Sequence, residues 1–284
     1  MVLMLAEHTS IRHHRDMKGL REASEVGRIF ASSEYGRDLN GQIRWKKYKP
    51  EDMTNREWIE LLGRDANNLE HMSLMHGVTV AFIRYTEEHQ PDLLTDEEKE
   101  LLLLVAISHD NGEAITTDIS YGDKTTKNEK EEKAAYDIVV SEVFPETSDK
   151  MIGLKDVIFD HSDSKLGKMF FTIECLGYMR TALIAADAAT EENTSEDLRQ
   201  NLIWLVADVI GGVAVSDRLR TGSEEYVAVQ DILGLYGPEI DEAYKLVNAN
   251  PRVFMKYGDA DKVNKKVSDF IKSKKAWKEF RSQR

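Results

Sequence analysis

The feature that most constrains this chain is the recurrence of apolar residues at helical spacing in several long stretches. After His71, apolar side chains follow at offsets of three, four, seven and eleven residues, which together form one face of a helix. The apolar run Leu101–Ile107 comes after Thr95 and Glu98, which have the spacing of a capping box. The 284 residues include only five prolines and 17 glycines, and few segments alternate like a strand. The pattern predicts an all-α protein.

Polar residues with metal-binding side chains interrupt two of these predicted helices. His71 lies on the apolar face of its helix and is therefore predicted to point inward. His109 and Asp110 follow the run Leu101–Ile107 and precede an Asn-Gly pair, so they fall on the last turn of that helix. At a helix end the backbone can turn both side chains toward one ion.

A further carboxylate, Asp187, is predicted to point inward because it shares a helical face with apolar residues, namely Leu176, Leu183 and Ile184. A buried carboxylate is costly unless it is paired or bound to a metal. A lone inward histidine is more often a hydrogen-bonded core residue than a ligand, and this alternative applies to His71 taken alone. Two imidazoles and two carboxylates together form a nitrogen and oxygen set that suits Mn, Fe, Co, Ni or Zn, with Mg as a further candidate.

The order of these residues resembles that of the HD-domain metal-dependent phosphohydrolases: a His, then an adjacent His-Asp pair, then a distant Asp between two alanines. Residues 109–113, His-Asp-Asn-Gly-Glu, followed by residues 116–119, Thr-Thr-Asp-Ile, are similar to the HDxxE…GD pattern of the 5'-deoxynucleotidase branch. Glu70-His71 resembles the motif at the first ligand of that branch. The resemblance covers residues 60 to 190, approximately, and departs from the family at Thr117, where a glycine is usual.

The resemblance implies an HD-domain-like helical bundle with N- and C-terminal helical extensions. It implies one divalent transition metal ion, held by His71, His109, Asp110 and Asp187. It also implies that Glu113 orients or deprotonates the attacking water and that Asp118 supports the ligands or faces the substrate. In the 5'-deoxynucleotidase branch an Arg-Trp pair before the first His contributes substrate contacts. Arg44-Trp45 is such a pair and is preferred to the closer but separated Arg56 and Trp58.

The chemistry can also be argued from the residue types. A metal lowers the pKa of bound water and neutralises charge on a phosphoryl oxygen, while a nearby carboxylate accepts the proton. Glu113 is close to the ligands in sequence and is not needed as one. Lys124 and Lys127 are the nearest cations after Asp118 and are predicted to bind phosphate. The alternative is that both lysines belong to the solvated stretch 123–133.

The composition limits which cellular location and which binding partners are expected. With 38 basic and 51 acidic residues the net charge is −13, which disfavours a stable nucleic-acid complex and favours a small-molecule substrate. The single cysteine, Cys175, excludes an intramolecular disulfide framework. The apolar segment Met1–Ala6 is too short for a signal peptide or a membrane span. These features predict a cytoplasmic protein with no membrane partner.

The chain is expected to comprise three zones: an N-terminal extension at 1–60, an HD-type core at 61–192 and a C-terminal helical extension at 193–284 packed on the core. The last zone ends in a basic tail. Its apolar residues Val263, Val267, Phe270 and Ile271 predict a surface helix with a solvated face. The alternative is contact of the tail with an anionic partner.

The leading functional hypothesis is hydrolysis of the phosphate ester of (deoxy)nucleoside 5'-monophosphates by metal-activated water. Related superfamily activities stay open, namely (d)NTP triphosphohydrolase and cyclic-nucleotide or alarmone hydrolase, and the resemblance also implies a homo-oligomer. A hypothesis from another class is a non-catalytic binding or scaffold protein that keeps the metal for stability. Glu113 argues against that hypothesis, because a purely structural site has no use for an extra carboxylate beside four ligands.

Overall fold

Helices account for most of the protein in its computed structural model, which describes residues 19–119, 124–159 and 164–283. Within these ranges there is no β-strand, and the all-α prediction is confirmed. The α-helices in chain order are α1 (Leu20–Ser32), α2 (Glu34–Asn40), α3 (Asn55–Leu62), α4 (Asn68–His89), α5 (Asp96–Ser108), α6 (Glu113–Thr116), α7 (Thr126–Val143), α8 (Ser148–Ile152), α9 (Lys155–Phe159), α10 (Lys165–Thr190), α11 (Glu196–Ile210), α12 (Val213–Glu225), α13 (Val227–Leu235), α14 (Gly237–Ala249) and α15 (Ala260–Ser282). Short 3-10 helices cover Lys46–Tyr48, Arg64–Ala66 and Pro251–Tyr257. The segment Met1–Ala6, used above to argue against a signal peptide, lies outside the described residues.

Two compact units divide the described residues. Unit 1 contains residues 19–44 and 64–173, and unit 2 contains residues 45–63 and 174–283. The predicted boundaries at 60 and 192 do not coincide with this division. Helix α1, assigned from sequence to an N-terminal extension, packs against α5 within unit 1. Unit 1, which contains most of the predicted core, therefore also includes residues that precede that core in the chain.

Local signals in the sequence account for where several helices begin. Thr95 caps α5 by accepting from the backbone N–H of Glu98, whose side chain accepts in return from the backbone of Thr95, so the predicted capping box forms. Thr54 and Glu57 form the same arrangement at α3. These caps satisfy N–H groups that have no partner inside the helix, and they therefore determine where the helix starts.

Helix α10 is long and apolar enough to cross a membrane by length and composition alone. However, 72% of its most apolar window of 18 residues is buried within the protein. Packing inside the protein is enough to explain why this helix is apolar. The helix is therefore only weak evidence for a membrane span.

The basic C-terminal helix α15 is amphipathic only in part. Phe270 is buried in unit 2, whereas Ile271 is 60% exposed. Asp259 caps the helix by accepting from the backbone N–H groups of Asp261 and Lys262. The predicted surface helix is therefore present, with a narrower buried stripe than the sequence suggested.

Candidate metal centre

Contacts with the preceding chain hold the first turn of α4, which carries His71. Asn67 caps this helix and also donates from Nδ2 to the backbone oxygen of Asn40 at 2.7 Å. The backbone N–H of Arg44 donates to the oxygen of Ala66 at 3.0 Å, next to an isolated bridge between residues 43 and 67. Arg44 is thereby held beside the start of the helix that bears His71.

The turn after α5 brings the His-Asp pair to the same place. His109 is the C-terminal cap residue of α5, and Asp110 follows it. Gly112 approaches α7 so closely that a Cβ atom there would lie 2.6 Å from the backbone oxygen of Glu132. Because a backbone oxygen cannot move aside cheaply, this position requires glycine. The close approach keeps the turn packed on α7.

His71, His109 and Asp110 converge as a buried group whose ligand atoms all lie within 4.8 Å of one another. The two Nε2 atoms of His71 and His109 are 3.2 Å apart. Asp110 Oδ2 lies 3.7 Å from Nε2 of His71, and Asp110 Oδ1 lies 3.3 Å from Nε2 of His109. A nitrogen and oxygen donor set of this kind suits a divalent transition metal.

The hydrogen bonds of the two imidazoles decide which nitrogen carries the proton. Nδ1 of His71 lies 2.6 Å from Asp65 Oδ1, and Nδ1 of His109 lies 3.2 Å from the backbone oxygen of Ala106. An ionised carboxylate and a carbonyl oxygen can only accept, so both Nδ1 atoms donate. In the neutral rings each Nε2 then presents a lone pair to the other. A cation or a proton between them is needed to offset their repulsion, so the donor set fits a metal ion.

Glu113 begins the short helix α6 and is buried beside this group. Its Oε2 accepts from Asn68 Nδ2 at 3.0 Å. Its backbone oxygen accepts from Gln42 Nε2 at 2.9 Å. Among the described residues we find no donor to the second carboxylate oxygen, Oε1. The carboxylate is therefore held at one oxygen and available at the other.

Two cations lie among these carboxylates. Arg44 Nη1 donates to Asp110 Oδ2 at 2.9 Å, and both side chains are buried. Lys124, just before the cap of α7, pairs with the buried Glu132 at 2.5 Å and is itself largely covered. Arg44 and Lys124 are thus the cations that the described part of unit 1 brings to the group.

Burial and charge move the pKa values of the acidic residues in opposite directions. Burial acts to raise the pKa of Asp110, but attraction to His109 and Arg44 outweighs it and lowers that pKa. Burial, together with repulsion from Asp110 and Asp118, raises the pKa of Glu113 well above its usual value. Burial likewise raises the pKa of Asp118, although Arg44 opposes the shift.

Lys124 responds to the same negative surroundings. Burial acts to lower its pKa, but attraction to Glu132 and Glu113 outweighs burial and raises the pKa. The ammonium form of Lys124 is therefore favoured beside the carboxylates.

The prediction that Asp187 points inward is wrong. Asp187 is exposed on the part of α10 that belongs to unit 2, and the group of candidate ligands does not include it. Leu183 and Ile184, which share its face, are only half-buried. Helical spacing shows which residues share a face, but it does not show how deeply that face is buried along a helix of 26 residues. We therefore do not count Asp187 among the converging ligands of unit 1.

Two predicted substrate contacts, Lys127 and Trp45, have different outcomes. Lys127 has a side chain that is 84% exposed and pairs with Glu131 at 3.5 Å, as the solvated alternative anticipated. Trp45 belongs to unit 2, where the centroid of its ring lies 6.3 Å from that of Tyr48 and 5.8 Å from that of Tyr178. We therefore do not keep Lys127 in the candidate site, whereas the substrate contact of Trp45 stays a prediction.

Several buried polar residues of the site were not identified from sequence, namely Asp65, Asn68, Asn111 and Glu132. A signal existed for two of them, because Asp65 and Asn68 belong to a polar segment just before the helix of His71. Glu132 carried no such signal, since it looks like one more acidic residue of a charged helix. Its burial and its contact with Lys124 distinguish it from the other acidic residues of that helix.

Comparison with known proteins adds no relative: no protein-family model, curated protein or solved structure matches the chain. The HD-domain resemblance therefore depends on the residues and motifs quoted above.

Proposed function

We propose that this chain is a metal-dependent phosphohydrolase that removes phosphate from (deoxy)nucleoside 5'-monophosphates. The observation that carries the proposal is the convergence of His71, His109 and Asp110, with both histidines presenting Nε2 lone pairs. A carboxylate, Glu113, and two cations lie in the same buried region. Ligands, a proton acceptor and phosphate-binding groups are the parts that such a reaction needs.

His71, His109 and Asp110 would hold the metal. A bound divalent ion would lower the pKa of a water molecule and offset negative charge on a phosphoryl oxygen. Three protein ligands are typical of catalytic metal sites, whereas structural sites usually have four. Three ligands converge among the described residues, and this number favours the enzyme over the metal-stabilised scaffold.

Glu113 is the residue proposed to accept the proton of the attacking water. Asn68 binds Oε2 at 3.0 Å and so orients the carboxylate. Oε1 then is the oxygen at which a water proton would be received. A general base acts only within hydrogen-bond reach of the proton it removes, and an oriented carboxylate meets that requirement without rearrangement.

Arg44 and Lys124 are proposed to bind the oxygens of the phosphate group. Arg44 donates to Asp110 through Nη1, and its guanidinium group presents its N–H groups in a planar fork that matches the oxygens of a phosphate. Lys124 is held by Glu132 in the ammonium form. Cations that are already oriented stabilise the negative charge of the transition state without further reorganisation.

The substrate class comes from the motif resemblance in residues 109–119, which is to nucleotidases that act on monophosphates. The (d)NTP triphosphohydrolase, cyclic-nucleotide and alarmone activities are alternatives with related metal sets. A cytoplasmic setting remains part of the proposal.

The test is product release from deoxynucleoside mono-, di- and triphosphates, with a cyclic nucleotide added, in the presence of Mn, Co, Mg or no metal. Glu113→Gln is expected to lower kcat by about 10²- to 10⁴-fold, because it removes the proton acceptor while keeping the side-chain shape. Glu129→Gln, an exposed residue of α7, is the matched control and should leave kcat unchanged.

Free phosphate from monophosphates supports the proposal. Triphosphate or pyrophosphate products identify one of the related activities instead. No turnover on the panel by a protein that holds stoichiometric metal contradicts the proposal and favours the scaffold hypothesis.

A further inference from the structure

We propose that Asp65 is a positioning residue that sets the tautomer and ring orientation of His71, so that Nε2 of His71 is presented to a metal. This inference rests on the proposed metal centre and assigns a residue that no motif indicated. Asp65 lies in the 3-10 helix Arg64–Ala66, directly before the cap of α4. Both Asp65 and His71 are completely buried.

With Asp65 ionised and the ring of His71 neutral, the contact between the two side chains has one donor arrangement. Asp65 Oδ1 lies 2.6 Å from Nδ1 of His71, and an ionised carboxylate only accepts. The proton of the neutral ring therefore sits on Nδ1, and the lone pair sits on Nε2. That atom faces His109 Nε2 at 3.2 Å and Asp110 Oδ2 at 3.7 Å. The tautomer set by Asp65 is the one that a metal at this position requires.

The backbone fixes where the ring is attached, but it leaves the ring free to rotate. His71 donates its backbone N–H to the oxygen of Asn67 at 2.8 Å within the first turn of α4. Rotation of the ring by half a turn about the Cβ–Cγ bond would keep that hydrogen bond but would put carbon atoms where Nδ1 and Nε2 now lie. The short contact with Asp65 opposes this rotation. A carboxylate on the far nitrogen of a ligand histidine also makes the near nitrogen a better electron-pair donor.

The role is tested with Asp65→Asn and Asp65→Ala, and with Asp137→Asn as the matched control on α7. Asp137 is a half-buried carboxylate of the same unit, paired with Lys155 at 2.7 Å and not part of the metal centre. The first readout is the ¹⁵N chemical shifts of the imidazoles in the metal-free protein, which distinguish the tautomers. His76 and His89 serve as internal references.

In the wild-type protein His71 is expected to be the tautomer protonated at Nδ1. Asp65→Asn keeps an accepting oxygen and should keep that tautomer, whereas Asp65→Ala should shift His71 toward protonation at Nε2. The second readout is the Kd for Mn or Co, measured by competition with a chelator. Asp65→Ala is expected to weaken binding by about 10- to 100-fold, and Asp65→Asn by a smaller factor. Asp137→Asn should change neither readout.

The two readouts separate this proposal from the proposed function. An unchanged tautomer and an unchanged Kd in folded Asp65→Ala overturn the role of Asp65. A third outcome is that the wild-type protein binds no metal, while Asp65→Ala still changes the tautomer of His71. That result would support the positioning role of Asp65 and contradict the metal centre. If Asp65→Ala does not fold, Asp65→Asn provides the test. A wild-type tautomer of His71 and an unchanged Kd for metal in Asp65→Asn would overturn the role of the carboxylate charge.

Discussion

The two units of this protein differ in how they compensate the charge of a carboxylate that is largely shielded from solvent. In unit 2, Asp208 accepts from the Tyr48 hydroxyl and pairs with two lysines, Lys47 at 3.0 Å and Lys266. Burial acts to raise the pKa of Asp208, but the two ammonium groups outweigh burial and lower the pKa to about 2. One negative charge thus faces two positive charges. This carboxylate is fully compensated by the protein itself.

The candidate metal centre of unit 1 has the reverse balance. Its carboxylates are Asp65, Asp110, Glu113, Asp118 and Glu132, and its cations are Arg44 and Lys124. Repulsion among these carboxylates helps to raise the pKa of Glu113, the opposite of what happens at Asp208. A carboxylate group that its own side chains do not neutralise can accept a cation, whereas a neutralised one stabilises the fold. The balance of charge therefore distinguishes the candidate metal centre of unit 1 from the structural ion-pair cluster of unit 2.

The largest expected effect concerns metal binding at the unit 1 centre. His109→Ala removes one of three converging ligands and should abolish stoichiometric binding of Mn or Co, with at least a 100-fold rise in Kd. Asp187→Ala changes a carboxylate on an exposed face and should keep the wild-type metal content. Metal content after gel filtration, measured by mass spectrometry, checks both variants.

The opposite result would restore the original ligand set. Loss of metal in Asp187→Ala would mean that Asp187 is a ligand after all and that the exposed position of its side chain is not the metal-bound one. Retention of stoichiometric metal in His109→Ala would remove the centre itself.

A smaller effect is expected when the structural cluster of unit 2 is broken. Asp208→Ala leaves Lys47 and Lys266 beside each other without their shared partner, and it should lower the free energy of unfolding by about 3 kcal/mol. Asp217→Ala, which changes an exposed carboxylate of α12, should cost less than about 0.5 kcal/mol. Urea unfolding of the two variants measures the difference. Equal stability of both would show that the Asp208 cluster contributes nothing net.

The smallest effect is the pH dependence of the same cluster. Because the pKa of Asp208 is about 2 in the folded protein and 3.8 is its ordinary value, the unfolded chain binds the proton more tightly. The stabilisation is complete above the ordinary value and is lost as the pH falls toward 2; it amounts to about 2 kcal/mol.

This loss is isolated by comparing wild type with Asp208→Asn, which cannot titrate at that position. The difference in unfolding free energy between the two proteins should shrink by about 2 kcal/mol between pH 5 and pH 2. A difference that does not change with pH would contradict the lowered pKa.

Much of the helical architecture was predictable, because the signals for helices are local. The capping box at Thr95 and Glu98 and the apolar run after it determine α5 within one stretch of chain. His71 follows the same logic, since its apolar neighbours on α4 indicate which way it points. The prediction that His71 is buried is therefore confirmed. Its function as a ligand stays a prediction.

Helical periodicity was misleading at Asp187 and did not identify the roles of Asp65 and Glu132. The face of α10 around Asp187 has apolar residues, but whether a face is covered depends on what packs over it. The roles of Asp65 and Glu132 depend on contacts with His71 and Lys124 that the local sequence does not reveal.

By itself the sequence determined that the protein is helical, where several helices begin, and which polar residues lie on apolar faces, because these properties depend on neighbours within a few positions along the chain. The tertiary structure alone decided that Arg44 meets Asp110, that Asp65 holds His71 and that Asp187 faces solvent. These contacts and exposures depend on how the helices pack against one another in the folded chain. Local periodicity carries no information about those distances, whereas the charge balance and the proton positions of a site depend on them.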